Sequence, residues 1–278
     1  MVKSRLDVLL VKRELVSSRE EAQRYIRAGK VLVDEMVVDK PGAGVAEESV
    51  IRVKLPETMY ASRGGTKLEG ALERFQIQVD GLTCADLGAS NGGFTDCLLQ
   101  RGARKVFAID VGHGQLAYHL QTDERVVVMD QTNCRYLKPG DLGEAVDLVV
   151  GDLSFISMKA VFPAIRAISR ADGRAVLLIK PQFEIGKGRV GKKGIVRDAA
   201  DHVEVLQDLY QFFQERNCSV IHATYSPIQG KTGNIEFFFD LSLDGAQSAI
   251  PPEFLQQVVE EAHFQLKQET SSHAREGL

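Results

Sequence analysis

Asp86-Leu-Gly-Ala-Ser-Asn-Gly-Gly-Phe94 joins an apolar run, Thr83–Leu87, to a segment of helical pattern, Phe94–Gln100, through a glycine-rich turn. Glycines let such a turn pass close to a ligand, and the helix after it aims its first N–H groups at the same place. A second carboxylate, Asp110, stands 24 residues after Asp86 and ends the next apolar run, Val106-Phe-Ala-Ile-Asp110. There it can accept both hydroxyls of a ribose. Asp130 closes Val126-Val-Val-Met-Asp130 and Asp152 follows Leu148-Val-Val-Gly151, so four successive strand-like runs carry an acid at or near one end. An open parallel sheet binds its ligand at that end, and the runs predict an α/β domain with a nucleotide-type cofactor pocket.

Glycine spacing separates the cofactor classes. A dinucleotide fingerprint, Gly-x-Gly-x-x-Gly, seats a pyrophosphate on the helix N-terminus. This turn reads Gly88-Ala-Ser-Asn-Gly92-Gly93, with Ser90 at the second glycine position. That favours S-adenosylmethionine, which has no phosphate to cradle. The expected cofactor-binding set is Asp86, Gly88, Ser90, Asn91, Gly92, Gly93, Phe94, Asp110, Asp130 and Asp152.

Composition bounds the rest. At 278 residues the chain suggests about two domains. It is 44% hydrophobic and 26% charged with a formal net charge of −4, so no overall basic field draws it to nucleic acid and any such surface must be local. No apolar run approaches the roughly 20 residues that cross a bilayer. The first residues, Met-Val-Lys-Ser-Arg-Leu-Asp7, put charge where a signal peptide needs its apolar core. A cytoplasmic location is expected. Cys84, Cys97, Cys134 and Cys218 show no C-x-x-C spacing, and the six histidines form no ligand pair at metal-site spacing. Neither a metal site nor a disulfide framework is expected.

Residues 1–54 read as a separate α+β module. Leu6, Leu9 and Leu10 form a helical stripe, and Ser18-Arg-Glu-Glu21 has capping-box spacing for a second helix that Gly29 stops. Short strands follow at Lys30–Val33, Met36–Val38 and Val50–Val53. Residues 1–30 hold eight Lys or Arg against four acids, a local basic excess in an acidic chain. Arg5-Leu-Asp7, Ser18-Arg-Glu-Glu-Ala22 and Ile26-Arg-Ala-Gly-Lys-Val-Leu-Val33 resemble the RNA-binding domain named after ribosomal protein S4. The resemblance implies that Arg5, Arg19, Arg24, Arg27 and Lys30 contact RNA phosphates.

A connector at 55–61 leads to the large domain, 62–245, with a C-terminal helix and polar tail over 246–278. Strands are expected at 83–88, 106–110, 126–129, 147–151, 175–180, 218–225 and 235–241. A helix at Asp198–Glu215 should bury Val203, Leu206, Tyr210 and Phe213. Three polar residues stand out on otherwise apolar elements: Lys180 ends Ala175-Val-Leu-Leu-Ile-Lys180, Glu236 interrupts Ile235-Glu-Phe-Phe-Phe239, and Lys67 opens a helix after Ser62-Arg-Gly-Gly-Thr66. A buried lysine or glutamate is costly unless paired.

Lys67, Asp152, Lys180 and Glu236 match, in order and context, the Lys-Asp-Lys-Glu tetrad of the FtsJ-like ribose 2′-O-methyltransferases. Ser62–Leu68, Asp86–Asp96, Gly151-Asp-Leu-Ser-Phe155 and Leu178-Ile-Lys-Pro-Gln-Phe-Glu184, joined to the N-terminal module, resemble the TlyA subfamily across nearly the whole chain. The resemblance implies a Rossmann-like seven-stranded sheet with helices on both faces, S-adenosylmethionine as cofactor and methylation of cytidine ribose in ribosomal RNA. The sulfonium methyl is already activated, so the enzyme must align it with a ribose hydroxyl and accept a proton. Lys180 is the candidate base, Lys67 a neighbouring cation, and Asp152 and Glu236 orient the amines and the hydroxyl. Whether Lys180 takes the proton or only positions the oxygen stays open at this point.

Gly186–Arg197 holds Lys187, Arg189, Lys192, Lys193 and Arg197 with no acid, a cationic loop suited to phosphate. Arg63 joins the expected RNA contacts. Two other readings remain: an RNA-binding ribosome-assembly factor with little catalysis, and a membrane-active haemolysin, against which the chain shows no spanning run or lipid-binding helix.

Overall fold

The computed structural model describes residues 3–13, 15–16, 18–53, 59–186 and 188–273, with backbone alone at 192 and 267–273. Its contacts divide the chain into two units, Met1–Thr58 and Met59–Leu278.

In the first unit β1 (Lys3–Arg5) runs directly into α1 (Leu6–Lys12), followed by α2 (Arg19–Arg27). The capping residue is Ser18, whose Oγ accepts from the Glu21 N–H at 3.2 Å. The helix ends before Gly29, whose φ of +67° is left-handed. β2 (Val31–Val33) turns through Asp34 and Glu35 into β3 (Met36–Val37), with β4 (Gly44–Ala46) and β5 (Ile51–Val53) beyond. β2 pairs antiparallel with β3 and β5, and β1 pairs with β4. The leucine stripe of α1 and Ala22 and Ile26 of α2 bury against Val31, Val33, Val45 and Ile51. β1 and β4 were not anticipated, because Lys3-Ser-Arg5 and Gly44-Val-Ala46 hold no run of β-branched or aromatic residues. The connector expected at 55–61 lies outside the described residues up to Thr58.

The second unit opens with α3 (Arg63–Arg74), then β6 (Thr83–Leu87), α4 (Gly93–Gln100), β7 (Lys105–Ile109), a short α5 (Tyr118–Gln121), β8 (Val126–Met129) and β9 (Val146–Gly151). It continues with α6 (Met158–Ile168), β10 (Ser169–Ile179), a one-turn α7 (Pro181–Glu184), α8 (Ala199–Gln214), β11 (Ser219–Tyr225), β12 (Phe237–Ser242) and α9 (Phe254–His273). The strands form one seven-stranded sheet in the order β11-β12-β10-β9-β6-β7-β8. Only β12 runs antiparallel, to both β10 and β11. Chain order reverses between β6 and β9, which is where an open sheet leaves a crevice at its strand C-termini.

Period-two alternation sends successive residues to two cores. Ala85, Leu87, Phe107, Ile109, Leu177 and Ile179 belong to one, packed with α6, α8 and α9. Cys84, Val106, Ala108, Val176 and Leu178 belong to the other, with α3 and α4. Because both faces are covered, the consecutive Phe237, Phe238 and Phe239 are all fully buried.

Three details differ from the sequence expectation. β10 begins at Ser169, directly after α6, six residues earlier than the apolar run. β12 starts at Phe237, so Glu236 stands just before the strand and does not interrupt it. α8 buries His202, Val205, Leu206, Leu209 and Phe213, whereas Val203 and Tyr210 are only partly covered. The buried stripe is rotated because α9 packs on the same helix, which a pattern within one helix does not reveal.

Candidate active site

The turn after β6 is shaped by left-handed residues: Gly88 at φ +85°, Ser90 at +49° and Gly92 at +91°. A Cβ on Gly88 would stand 2.8 Å from the Asp152 carbonyl, so this glycine also lets β6 and β9 close together at the crevice. At Gly93 a side chain would meet the Ser62 hydroxyl and, at 2.8 Å, the Gly65 nitrogen. Ser62 caps α3 by accepting from Gly64 N–H at 3.2 Å. The N-termini of α3 and α4 therefore meet beside the turn.

Asp86 is fully buried, and its Oδ2 accepts from the Thr95 N–H at 2.9 Å and the Thr95 hydroxyl at 2.7 Å. Its Oδ1 is buried without a partner. Burial, with Asp152 and Asp110 nearby, outweighs the Thr95 bonds and raises this carboxyl to about 7. Asp110 is held by its own turn, accepting from Ser90 N–H (2.9 Å) and Gly112 N–H (2.7 Å). Asp130 accepts from Gly114 N–H at 2.6 Å and lies 3.1 Å from His113 Nδ1. Asn91 is exposed, and its carbonyl accepts from Ala117 N–H at 3.2 Å. Phe94 turns its ring into the core against Phe238, centroids 6.2 Å apart, which leaves its backbone as the part at the turn.

On the other side of the crevice, Leu177 pairs with Gly151 and Ile179 with Phe237. Asp152, Lys180 and Glu236 thus stand just beyond three neighbouring strands, at one sheet edge. Lys180 Nζ is 2.5 Å from Asp152 Oδ1 and donates to Ser154 Oγ at 3.0 Å. Lys67, on the second turn of α3, donates to Glu236 Oε2 at 2.6 Å, both side chains about nine-tenths or more buried. The tetrad is two lysine–carboxylate pairs.

Several supporting contacts had no sequence signal. Gly230 has no room for a Cβ because Glu236 Oε1 would lie 2.5 Å away, so the segment before β12 folds over this carboxylate. Arg63 donates to the Gln229 carbonyl at 2.8 Å and ties α3 to that segment. Asn234, buried, accepts from Val196 N–H (3.0 Å) and donates to the Gly194 carbonyl (2.9 Å), which anchors the end of the basic loop beside Glu236. Glu184 accepts from the Ser157 hydroxyl (2.6 Å) and Met158 N–H (2.8 Å), joining the segment after β10 to that after β9. Between them Phe155 is 91% exposed at φ +63°, a strained backbone for a bulky residue, with its ring 5.0 Å from that of Phe183.

Of the expected RNA contacts, Arg189 is engaged by Asp201 and Glu204 of α8 and so is less available than composition suggests. Lys193 is exposed at φ +67°. Lys187 and the side chain of Lys192 lie outside the described residues. In the first unit Arg24 pairs with Glu21 (3.2 Å) and lies over the Tyr25 ring, Arg27 donates to Gln23 Oε1 (3.3 Å), and Lys30 flanks Tyr25. Arg5 and Arg19 both bond Asp7. All four cysteines are buried and free, their thiols pushed up by burial, to about 12 at Cys84, Cys97 and Cys218 and about 11 at Cys134. Among the described residues no His, Cys, Asp or Glu group could hold a metal ion, and no helix is long and apolar enough to cross a membrane.

Two family models match the chain, the FtsJ-like methyltransferases over residues 60–242 and the S4 domain over residues 4–51. The 16S/23S rRNA (cytidine-2′-O)-methyltransferase TlyA of Mycobacterium tuberculosis is 45% identical, covering 85% of this chain and 88% of its own. A protein named Hemolysin A, from Brachyspira hyodysenteriae, is 38% identical over 84% of this chain and 97% of its own. A solved structure from Streptococcus thermophilus with a provisional hemolysin label is 39% identical, covers 98% of this chain and 99% of its own, and superposes with a TM-score of 0.76.

Proposed function

The chain belongs to the FtsJ-like methyltransferases, in the TlyA branch that joins this domain to an N-terminal S4 domain, and from that premise we propose that it methylates the ribose 2′-oxygen of cytidine in ribosomal RNA. The carrying observation is the paired placement of Lys67 with Glu236 and of Lys180 with Asp152 at one edge of the sheet, next to the glycine turn.

The residues of the turn fit S-adenosylmethionine: an orphaned buried Asp86 oxygen faces no protein donor, and the Asp110 carboxylate is fixed by two backbone N–H groups. When bound, this cofactor supplies a methyl group activated on a sulfonium sulfur. Asp110 would hold its ribose hydroxyls and Asp130 the base side, while Gly88, Ser90, Asn91, Gly92, Gly93 and the Phe94 backbone line its path. Asp152, and Asp86 in its ionised form, would offer negative charge to the cofactor's positive sulfonium.

Lys180, ion-paired to Asp152 and bonded to Ser154, is a donor in the resting site. It holds the 2′-oxygen of the substrate and stabilises the charge that grows there as the proton leaves. Acting as base requires that it first give up a proton, for which Asp152 is the adjacent acceptor. Lys67, fixed by Glu236, supplies a second positive charge at the same edge and orients the ribose. The exposed Phe155 ring, backed by Phe183, offers a stacking face for a base. Arg5, Arg19, Arg24, Arg27 and Lys30 with Arg63, Lys187, Arg189, Lys192 and Lys193 are the phosphate contacts of this reading, and ribosomal subunits in the cytoplasm are its partner.

The test is transfer of labelled methyl to ribosomal subunits lacking the modification, comparing wild type with Lys180→Ala. Alkali-resistant label made by the wild type alone supports the proposal. Label in an alkali-sensitive product overturns the ribose target, and no label despite donor and RNA binding favours an assembly factor.

A further inference from the structure

The first unit buries an acid in the middle of its basic surface. Asp7, on α1, is fully buried. Its Oδ1 accepts from Arg5 Nε at 3.0 Å, and its Oδ2 accepts from Arg5 Nη2 at 2.9 Å, Arg19 Nε at 3.1 Å and Gln23 Nε2 at 3.1 Å. Four donors hold the carboxyl well below the usual carboxylate range, led by the Arg5 bond, so it is charged at neutral pH. Both arginines stay half exposed, at 53% and 51%. Each turns its Nε edge inward to the shared acid. Among the described residues nothing accepts from Arg5 Nη1 or from either Nη of Arg19.

We propose that Asp7 is a positioning residue that sets the guanidinium groups of Arg5 and Arg19 side by side as one preformed fork for an RNA phosphate. The proposal rests on the reading that this unit binds ribosomal RNA. A free surface arginine loses rotamer freedom when it grips a phosphate, and one already held on a carboxylate loses much less. Two planar forks bonded to one oxygen present adjacent N–H donors, which suits the two non-bridging oxygens of a phosphodiester. Gln23 fills the remaining position on Asp7 Oδ2 without adding charge.

The consequence runs against charge counting. Neutralising an acid on an RNA-binding face should tighten binding if only the summed field mattered. If Asp7 builds the fork, its loss weakens binding. The experiment uses the full chain and ribosomal subunits lacking the modification, with filter binding and methyl-transfer kinetics. Asp7→Asn is expected to weaken subunit binding about tenfold and to raise KM for the subunits by a similar factor, with kcat at saturation unchanged. Arg5→Lys with Arg19→Lys keeps the charge at two half-exposed positions while removing the planar forks. It is expected to weaken binding several-fold, which guards against Asp7→Asn acting only by loosening the unit. Lysine variants that bind as wild type, or Asp7→Asn binding as tightly or more tightly, overturn the fork. Arg5→Ala with Arg19→Ala tests the underlying reading separately: subunit binding unchanged by that pair would remove this face from the RNA-binding surface altogether.

Discussion

The two units use carboxylate–cation pairs in opposite ways. Around Asp7 the acid is buried and the arginines are half exposed, so the pair hides its negative charge and displays its positive charge. At Lys67–Glu236 both partners are about nine-tenths or more buried, so neither charge faces open solvent and the amine is held in place within the protein. Arginine suits the first arrangement because its fork bonds the acid on one edge and keeps donors on the other. Lysine suits the second because a compact ammonium can be aimed at one atom. On the readings proposed above, the contrast separates a surface that holds phosphate from a site that acts on a single oxygen.

The strongest way to break this contrast is Lys180→Ala. Methyl transfer is expected to fall by about three orders of magnitude, measured with saturating cofactor and subunits, while subunit binding stays within a few-fold. Binding that collapsed in parallel would place Lys180 among the binding residues and erase the division of labour.

Next comes stability. Glu236→Ala leaves Lys67 buried without its acid and is expected to cost about 3–5 kcal/mol, read by denaturant unfolding. Replacing the pair together, Lys67→Met with Glu236→Leu, should recover most of that stability without recovering activity. A double variant as unstable as the single would mean that the pair is structural.

His202 sharpens the comparison from another side, being a buried basic group to which no carboxylate is bonded among the described residues. It is fully buried in α8, its Nδ1 2.9 Å from His263 Nε2 on α9, and burial followed by His263 lowers it to about 4 against the weaker pull of Asp198 and Asp201. The folded chain resists a proton that the unfolded chain accepts below about 6.5. This contribution to stability is therefore complete above that pH and is lost as the pH falls towards 4, by on the order of 3 kcal/mol. Unfolding curves at pH 7.5 and 4.5 measure it, and His202→Phe should flatten the dependence.

The smallest expected effect belongs to the exposed side of the active site. Phe155→Gly should raise stability by about 1 kcal/mol by relieving its left-handed backbone, while raising KM for the subunits roughly tenfold through lost stacking. Unchanged KM would leave the exposed ring without a part in RNA binding.

Much of the site could be read from local order. The glycine turn, Asp110, Asp152 and Lys180 stood out at or just after the ends of apolar runs, Glu236 as an acid within one and Lys67 at a helix start, and the family resemblance joined the last four into a tetrad. Asp86 was recognised, while its bonds to Thr95 were not, since a strand pattern does not say which residue will take one of its oxygens. Gly230 and Asn234 gave no signal, because their roles consist of contacts with residues distant in sequence. Asp7 looked like one acid deducted from a basic count, and only its burial turned it into the centre of that surface.

By itself the sequence determined the seven strands and most helices, the glycine turn after β6 and the residue types at the sheet edge, because period and punctuation are properties of a few adjacent residues. The tertiary structure alone decided that the tetrad divides into Lys67–Glu236 and Lys180–Asp152, that β12 runs against its neighbours, and that Arg189 is engaged by α8. Those outcomes depend on which side chains meet after the chain has folded. A charge's partner is fixed by distance and burial, and neither is written in the order of the residues.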